Sequence, residues 1–171
     1  TVGICFGGKQ NMQKFLKQKI KEKLGKVKDP EGNILGTHKG TMFCTVGQKA
    51  GEHAGIHIQK PSHLAQRRFY IAEKKINTLI VAPMGHPILK KKQVHLIKFH
   101  IINPKDKMPK KNLRARIRHL GKLHAGKLAK KGKKYIFSFN KPVESIAEGQ
   151  FLVIYKGSCL LASGEIEKSI S

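Results

Sequence analysis

The chain has 171 residues, enough for one sizeable core or two small ones, and its 39% apolar content lies well above that of disordered chains. Its 35 Lys and Arg against 10 Asp and Glu leave a net charge of +25. Such self-repulsion adds nothing to a fold and makes sense only opposite a polyanion, with nucleic acid the first candidate and an anionic membrane surface the second. No apolar run approaches the roughly 18–20 residues needed to span a bilayer, which argues against a membrane protein.

The opening "TVGICFGGKQN" admits two readings. As Gly3-x4-Gly8-Lys9 it nearly spells a phosphate-binding loop. That loop needs a Ser or Thr after the Lys to hold Mg²⁺, and Gln10 stands there instead; it also needs a preceding buried strand, and only Thr1 and Val2 come before Gly3. The second reading is a reactive thiol. Gly3, Gly7 and Gly8 allow close approach around Cys5, and Lys9 beside it favours the thiolate. The plainer alternative is that Ile4-Cys5-Phe6 is a small piece of core. Three cysteines, Cys5, Cys44 and Cys159, are too few and too odd in number for a disulfide scaffold, which suits a reducing compartment. Cys44 and Cys159 lack flanking Gly pairs and read as structural. Thr1-Val2-Gly3 does not begin a signal peptide, so the expected location is the cytoplasm, with the mitochondrion as the alternative.

From Gln10 to Leu24 the apolar residues Met12, Phe15, Leu16, Ile20 and Leu24 have the spacing of one helix face, and Gly25 would end the helix. "KVKDPEGNILG" reads as strand, turn and return strand. "THKGTMFCTVGQKAGEHAGIHIQKP" is poorly periodic and reads as loops with at most one helical turn. His53 and His57 in "EHAGIH" tempt a metal reading, but Gly55 argues against a helix there and no Cys pair has zinc spacing, so no metal site is expected. "RRFYIAEKKINTLIVAP" looks like a hairpin turning near Lys74 to Asn77. A domain boundary is expected between about Pro61 and Pro87, giving a first domain of residues 1–70 and a second of residues 71–171.

The remainder reads as short strands: "QVHLIKFHII", "LRARIRHL", "GKLHAGKL", "KYIFSFN", "QFLVIYKG" and "SCLLASGEIEK". Strands at this spacing suggest a closed antiparallel barrel. The fold class expected is therefore mainly β with one N-terminal helix: a small central α+β domain, then an antiparallel β-barrel. Charge divides the barrel. Residues 103–134 hold 13 Lys and Arg against Asp106 alone, whereas residues 141–171 hold three Lys and four Glu. In a strand "LRARIRHL" would place Arg114, Arg116 and Arg118 on one face, about 6.6 Å apart, with Leu113, Ala115 and Ile117 on the other. Such a line can meet phosphates; the alternative is a solvated edge strand whose charges block aggregation.

Taken together these segments resemble the tRNA-specific 2-thiouridylase family. The resemblance rests on Gly3-Ile4-Cys5-Phe6 with Gly8 and Phe15-Leu16, on Gly36-Thr37-His38-Lys39-Gly40 leading to Thr45-Val46-Gly47-Gln48, and on "FNKPVESIAEGQFLVIYKGSCLLASGEIE" with Pro142-Val143, Gly149-Gln150 and Tyr155. The resemblance implies that Cys5 carries sulfur as a persulfide to C2 of a wobble uridine, and that Arg118, His119 and Gln150 touch tRNA. It implies a sulfur-donor protein as partner. It also implies a separate ATP-binding domain that adenylates the uridine with ATP and Mg²⁺ and supplies a second cysteine. No Ser-Gly-Gly-x-Asp-Ser loop occurs in this chain, so it looks like the central and C-terminal domains only, binding no cofactor itself. The chain departs from the family at Val2, at Lys49-Ala50 and at Arg118-His119-Leu120-Gly121. Two functions follow as expectations: the tRNA-binding, persulfide-carrying portion of a uridine 2-sulfurtransferase, or a non-enzymatic basic RNA-binding module. A module that only binds has no use for a thiol between glycines.

Overall fold

The structure, a computed structural model, describes residues 16, 18–59, 62–105, 108–118, 120–132, 134–144 and 146–171. It divides into two compact units, Thr1–His86 and Pro87–Ser171.

The first unit is a five-stranded sheet. Its strands are β1 (Gly25–Lys28), β2 (Ile34–His38), β3 (Ile56–Ile58), β4 (Phe69–Lys75) and β5 (Thr78–Pro83), in the order β3-β2-β1-β5-β4. The β1–β2 turn forms because Asp29 Oδ1 accepts from the Asn33 amide at 2.7 Å, while Gly32 takes the positive φ of +97° that the tight return needs. The β4–β5 hairpin turns over Ile76 and Asn77, and Asn77 occupies the left-handed region at φ +52°. β5 then pairs in parallel with β1, Val27 opposite Leu79. This pairing moves the expected 70/71 boundary to His86/Pro87: a cut at residue 70 would pass through β4 and separate strands of one sheet.

Val27, Ile56, Phe69, Ile71, Leu79 and Val81 form the core of this unit, with Cys44, Ala50 and Ala54 closing it. Two corrections apply here. The described residues of the unit form a β-sheet with short 3₁₀ turns at Thr41–Phe43, Glu52–Ala54 and Ser62–Leu64, and the loop-rich segment hides the strand β3. The first half of the expected helix over Gln10–Leu24 falls outside the described residues. What is described of it is one turn, Ile20 N–H to Leu16 C=O at 2.8 Å, followed by irregular chain. The sheet captures this stretch: Lys23 N–H donates to Lys39 C=O, and Asn77 Nδ2 donates to Leu24 C=O at 2.8 Å. Gly25 starts β1 rather than capping a helix. A Cβ there would meet the Asn77 carbonyl and the His38 ring.

The second unit is the expected barrel. β6 (Lys90–Ile101), β7 (Leu113–Arg116), β8 (His124–Lys131), β9 (Lys134–Glu144), β10 (Phe151–Lys156) and β11 (Cys159–Ile170) close in the order β10-β11-β6-β9-β8-β7. Every pairing is antiparallel, and the β7–β10 ladder completes the ring. Closure leaves no open sheet edge. Alternate residues point inward: Val94, Leu96, Leu113, Ala115, Phe137, Phe139, Leu152, Ile154 and Ile166 fill the interior. Gly126 on β8 makes room for the Phe137 ring and the Ser138 carbonyl, which a Cβ would strike. No helix among the described residues is long and apolar enough to cross a membrane.

Candidate nucleic-acid interface

The charged face is built by alternation along β7 and its continuation. Leu113, Ala115 and Ile117 are buried; Arg114 and Arg118 are exposed and Arg116 is half-buried. The two-residue period thus turns the arginines outward as expected. The regular strand ends at Arg116, however, so Arg118 sits in the bend that follows, where Gly121 N–H donates to its carbonyl at 2.9 Å.

The neighbouring strand decides what the arginines meet. In the β7–β10 ladder Val153 faces Arg116 and Tyr155 faces Arg114. The outward residues of β10 are Phe151, Val153 and Tyr155, because Leu152 and Ile154 are fully buried. Arg116 crosses diagonally to place its guanidinium 5.6 Å from the Tyr155 ring centroid, a cation–π contact that holds the charge in place. Its Nε is buried without a hydrogen-bond partner, a donor whose desolvation an incoming acceptor would offset. Arg114 reaches the Gly157 carbonyl at 3.4 Å. The register ends at the Val153–Arg116 pair, with Phe151 opening β10 two residues before Val153 and Arg118 lying in the bend after β7.

Gln150 precedes Phe151 with its side chain exposed. Its backbone is fixed from β11: the Gln150 carbonyl accepts from Ile166 N–H at 2.8 Å, and Gly149 N–H donates to the Ile166 carbonyl at 2.8 Å. Of the expected contact residues, Arg114 and Arg116 are therefore set on β7 beside β10, Arg118 lies in the bend after β7, and Gln150 comes just before β10. His119 lies outside the described residues, as do Cys5, Gly3, Gly7, Gly8 and Lys9.

Positive charge continues beyond β7. Lys127, Lys130 and Lys131 on β8 are exposed, as are Lys110 and Lys111 before β7, where the Lys110 carbonyl accepts from Leu128 N–H at 3.0 Å. The acids of β11 are compensated: Lys98 meets Glu165 and Lys134 meets Glu167, each at 2.7 Å. His124 adds no charge at neutral pH, because burial lowers its pKa from 6.5 and Lys122 lowers it further.

Two residues of this face escape a reading of the arginine strand alone, Phe151 and Tyr155. Their signal is the outward half of "FLVIY", an aromatic at each end of a period-two row beside a basic strand. The family-motif residues of the first unit serve its packing. His38 is fully buried and its Nδ1 accepts from Gly40 N–H at 3.0 Å. A Cβ on Gly36 would strike the His57 carbonyl. Gln48 Oε1 accepts from Thr45 N–H at 3.0 Å.

The remaining thiols differ from each other. Cys44 is buried, its Sγ near the Gly40 and Ala54 carbonyls, and burial pushes its pKa up against a smaller downward pull from Lys74. Cys159 is a correction to the structural reading: it is exposed at the tip of the β10–β11 hairpin, where Gly157 turns the chain at φ +62°. Among the described residues no three His, Cys, Asp or Glu side chains gather as metal ligands.

Comparison with known proteins gives two adjoining matches. Residues 13–83 match the family described as tRNA methyl transferase PRC-barrel domain, and residues 91–166 match the aminomethyltransferase β-barrel domain. The chain is 32% identical over 170 residues to the tRNA-specific 2-thiouridylase MnmA of Pseudomonas fluorescens strain Pf0-1, covering 98% of this chain and 44% of that protein. It is 29% identical to the protein of the same name from Pseudomonas aeruginosa strain UCBPP-PA14, with the same coverage. It is also 29% identical to the tRNA-specific 2-thiouridylase MnmA 2 of Aliarcobacter butzleri, covering 97% of this chain and 47% of that one. The chain thus spans less than half the length of these relatives.

Proposed function

Because the chain belongs to the tRNA-specific 2-thiouridylase family, matching the central and C-terminal domains, we propose that it is the tRNA-binding and persulfide-carrying portion of a uridine 2-sulfurtransferase. The observation that carries the RNA half of this reading is the Arg114–Arg116–Arg118 row, set outward on a barrel whose β11 acids, Glu165 and Glu167, are already paired. Guanidiniums in a row neutralise successive phosphates, and their contacts fix orientation on the RNA rather than its sequence. Gln150 can both donate to and accept from a base edge, as a residue near the modified position must.

The sulfur half rests on Cys5 and its glycines. The Cys5 thiolate attacks the outer sulfur of a donor persulfide; an S–S bond forms on Cys5 and the donor leaves as a thiolate. The outer sulfur then attacks C2 of the activated uridine, the activating group leaves with the C2 oxygen, and a second thiol, supplied in this reading by the separate domain, attacks the Cys5 sulfur, so that a disulfide forms and the 2-thio product is released. Displacing the C2 oxygen requires activation that the described residues do not offer, since they gather no metal-binding cluster and the chain has no nucleotide loop. ATP and Mg²⁺ belong, in this reading, to a separate domain, and the sulfur donor is a separate protein. The cytoplasm suits both requirements, a reduced thiol and access to tRNA.

The test is sulfur loading. Incubation with a persulfide donor should add one sulfur atom to Cys5, read by mass spectrometry of the peptide, and the loaded chain should still bind tRNA. Loading of Cys159 in place of Cys5 would contradict the assignment. RNA binding without loading anywhere would favour the non-enzymatic module.

A further inference from the structure

Large apolar side chains left in water beside arginines call for an explanation. Phe151 is 54% exposed and Leu120 is 83% exposed. Both lie at the end of the barrel where β7 runs out and β10 begins. Leu120 occupies the left-handed region at φ +58°, a conformation rare for a large non-glycine residue and costly to hold. Phe151 opens an outward row, Phe151–Val153–Tyr155, in which Val153 faces Arg116 and Tyr155 faces Arg114 on β7, while Arg118 follows in the bend after that strand. On its other side Phe151 faces Glu165, whose charge Lys98 compensates at 2.7 Å.

We propose that this end of the barrel is a stacking platform for an unpaired base, with Phe151 as the stacking residue and the arginine row on the phosphates that flank it. The proposal rests on the RNA-binding reading above, whose wobble uridine already lies in an unpaired loop, and deepens it by assigning a base-stacking role to Phe151. The chemistry is direct. A duplex buries its base faces and offers only phosphate and groove edges, for which an exposed phenyl ring has no use. An unpaired base offers a π-face, and aromatic rings interleaved with cations are how strands are held without sequence reading. A second copy of this chain or an apolar peptide would also cover Phe151. Neither accounts for the arginine row, which two like-charged chains would press together.

The experiment uses the full chain and two probes of equal length at one salt concentration: an RNA hairpin whose unpaired loop carries the fluorescent base 2-aminopurine, and a blunt RNA duplex. The variants are Phe151→Ala, Phe151→Leu and Phe151→Tyr. The parent should bind the hairpin more tightly than the duplex and change the loop fluorescence. Phe151→Ala and Phe151→Leu should weaken hairpin binding by at least about fivefold, the low end of one base–aromatic stack. They should leave duplex binding and the salt slope unchanged, and Phe151→Tyr should restore the parent's behaviour. Because the ring is largely exposed, all three variants should keep the parent's melting temperature. Equal binding of both probes, unaffected by Phe151→Ala, would overturn the stacking platform while leaving the RNA-binding reading intact. Retention by Phe151→Leu would reduce the contact to generic apolar packing and also overturn it. Absence of binding to either RNA would overturn both readings, and concentration-dependent dimerisation lost in Phe151→Ala would assign the patch to a second copy.

Discussion

Arg116 carries two opposed demands. Its tip stays charged over Tyr155 while its Nε is buried without a partner. Such a donor costs stability until an acceptor reaches it, so Arg116 is better suited to a bound phosphate than to free solution. The thiols sort by the same reasoning about exposure. Limiting alkylation at neutral pH should label Cys5 first, Cys159 next and Cys44 last, since Cys44 is buried with a raised pKa. Mass spectrometry of the three peptides gives the order, and Cys5 no faster than Cys159 would remove the basis for its reactivity. His38 makes a pH prediction. Burial lowers its pKa from 6.5, outweighing the upward pull of the Asn77 carbonyl. As pH falls the unfolded chain therefore takes the proton first. The stability this neutral ring provides is complete above about pH 6.5 and is lost as pH falls through the folded value. Thermal unfolding should show a lower midpoint at about pH 5.5 than at about pH 7.5, and His38→Asn should flatten that dependence. An equally steep dependence in the variant would place the titration elsewhere.

At the scale of elements, the sheets depend on a few places where two backbones approach too closely for a side chain. Gly126 is one. Gly126→Ala would drive a methyl into the Phe137 ring and the Ser138 carbonyl, and should destabilise the barrel by about 1–3 kcal/mol, read by denaturant unfolding. An unchanged midpoint would mean that β8 and β9 part more easily than their register implies. The elements legible in the sequence were those with their own punctuation. The Pro30-Glu31-Gly32-Asn33 turn announced the first hairpin and the stretch from Lys74 to Asn77 the second. The period of two in "LRARIRHL" predicted which residues face in and which face out, through Arg118. The illegible elements take their form from partners distant in sequence. β3 is three residues long and exists because β2 pairs with it, Gly36 opposite Ile58. The stretch before Gly25 has helical spacing, yet Lys23 and Leu24 bond to Lys39 and Asn77 of the sheet. Periodicity within a segment contains no trace of such bonds. Phe151 was visible as a letter but not as part of a face, because the row it opens meets the arginines only through the β7–β10 register that closes the barrel.

For the whole molecule, the charge of +25 over two compact units makes electrostatic attraction the main source of affinity in any RNA complex. The chain spans less than half the length of its relatives, and with no nucleotide loop in it, ATP, Mg²⁺ and a sulfur donor added to the purified chain should yield no 2-thiouridine. Turnover by this chain alone would show that activation of the uridine needs less than a separate domain. The central claim is that tRNA lies against the arginine row of the barrel, and its most direct test is the salt dependence of tRNA affinity in the parent and in Arg118→Ala. The logarithm of affinity should fall linearly with the logarithm of salt, by about 0.7–0.9 per phosphate neutralised. Arg118→Ala should weaken binding by roughly 1–3 kcal/mol and make the slope shallower by about one phosphate's worth, with the fold retained because Ile117 stays inside. Parent-like affinity and slope in Arg118→Ala would contradict the claim and move the RNA away from the arginine row.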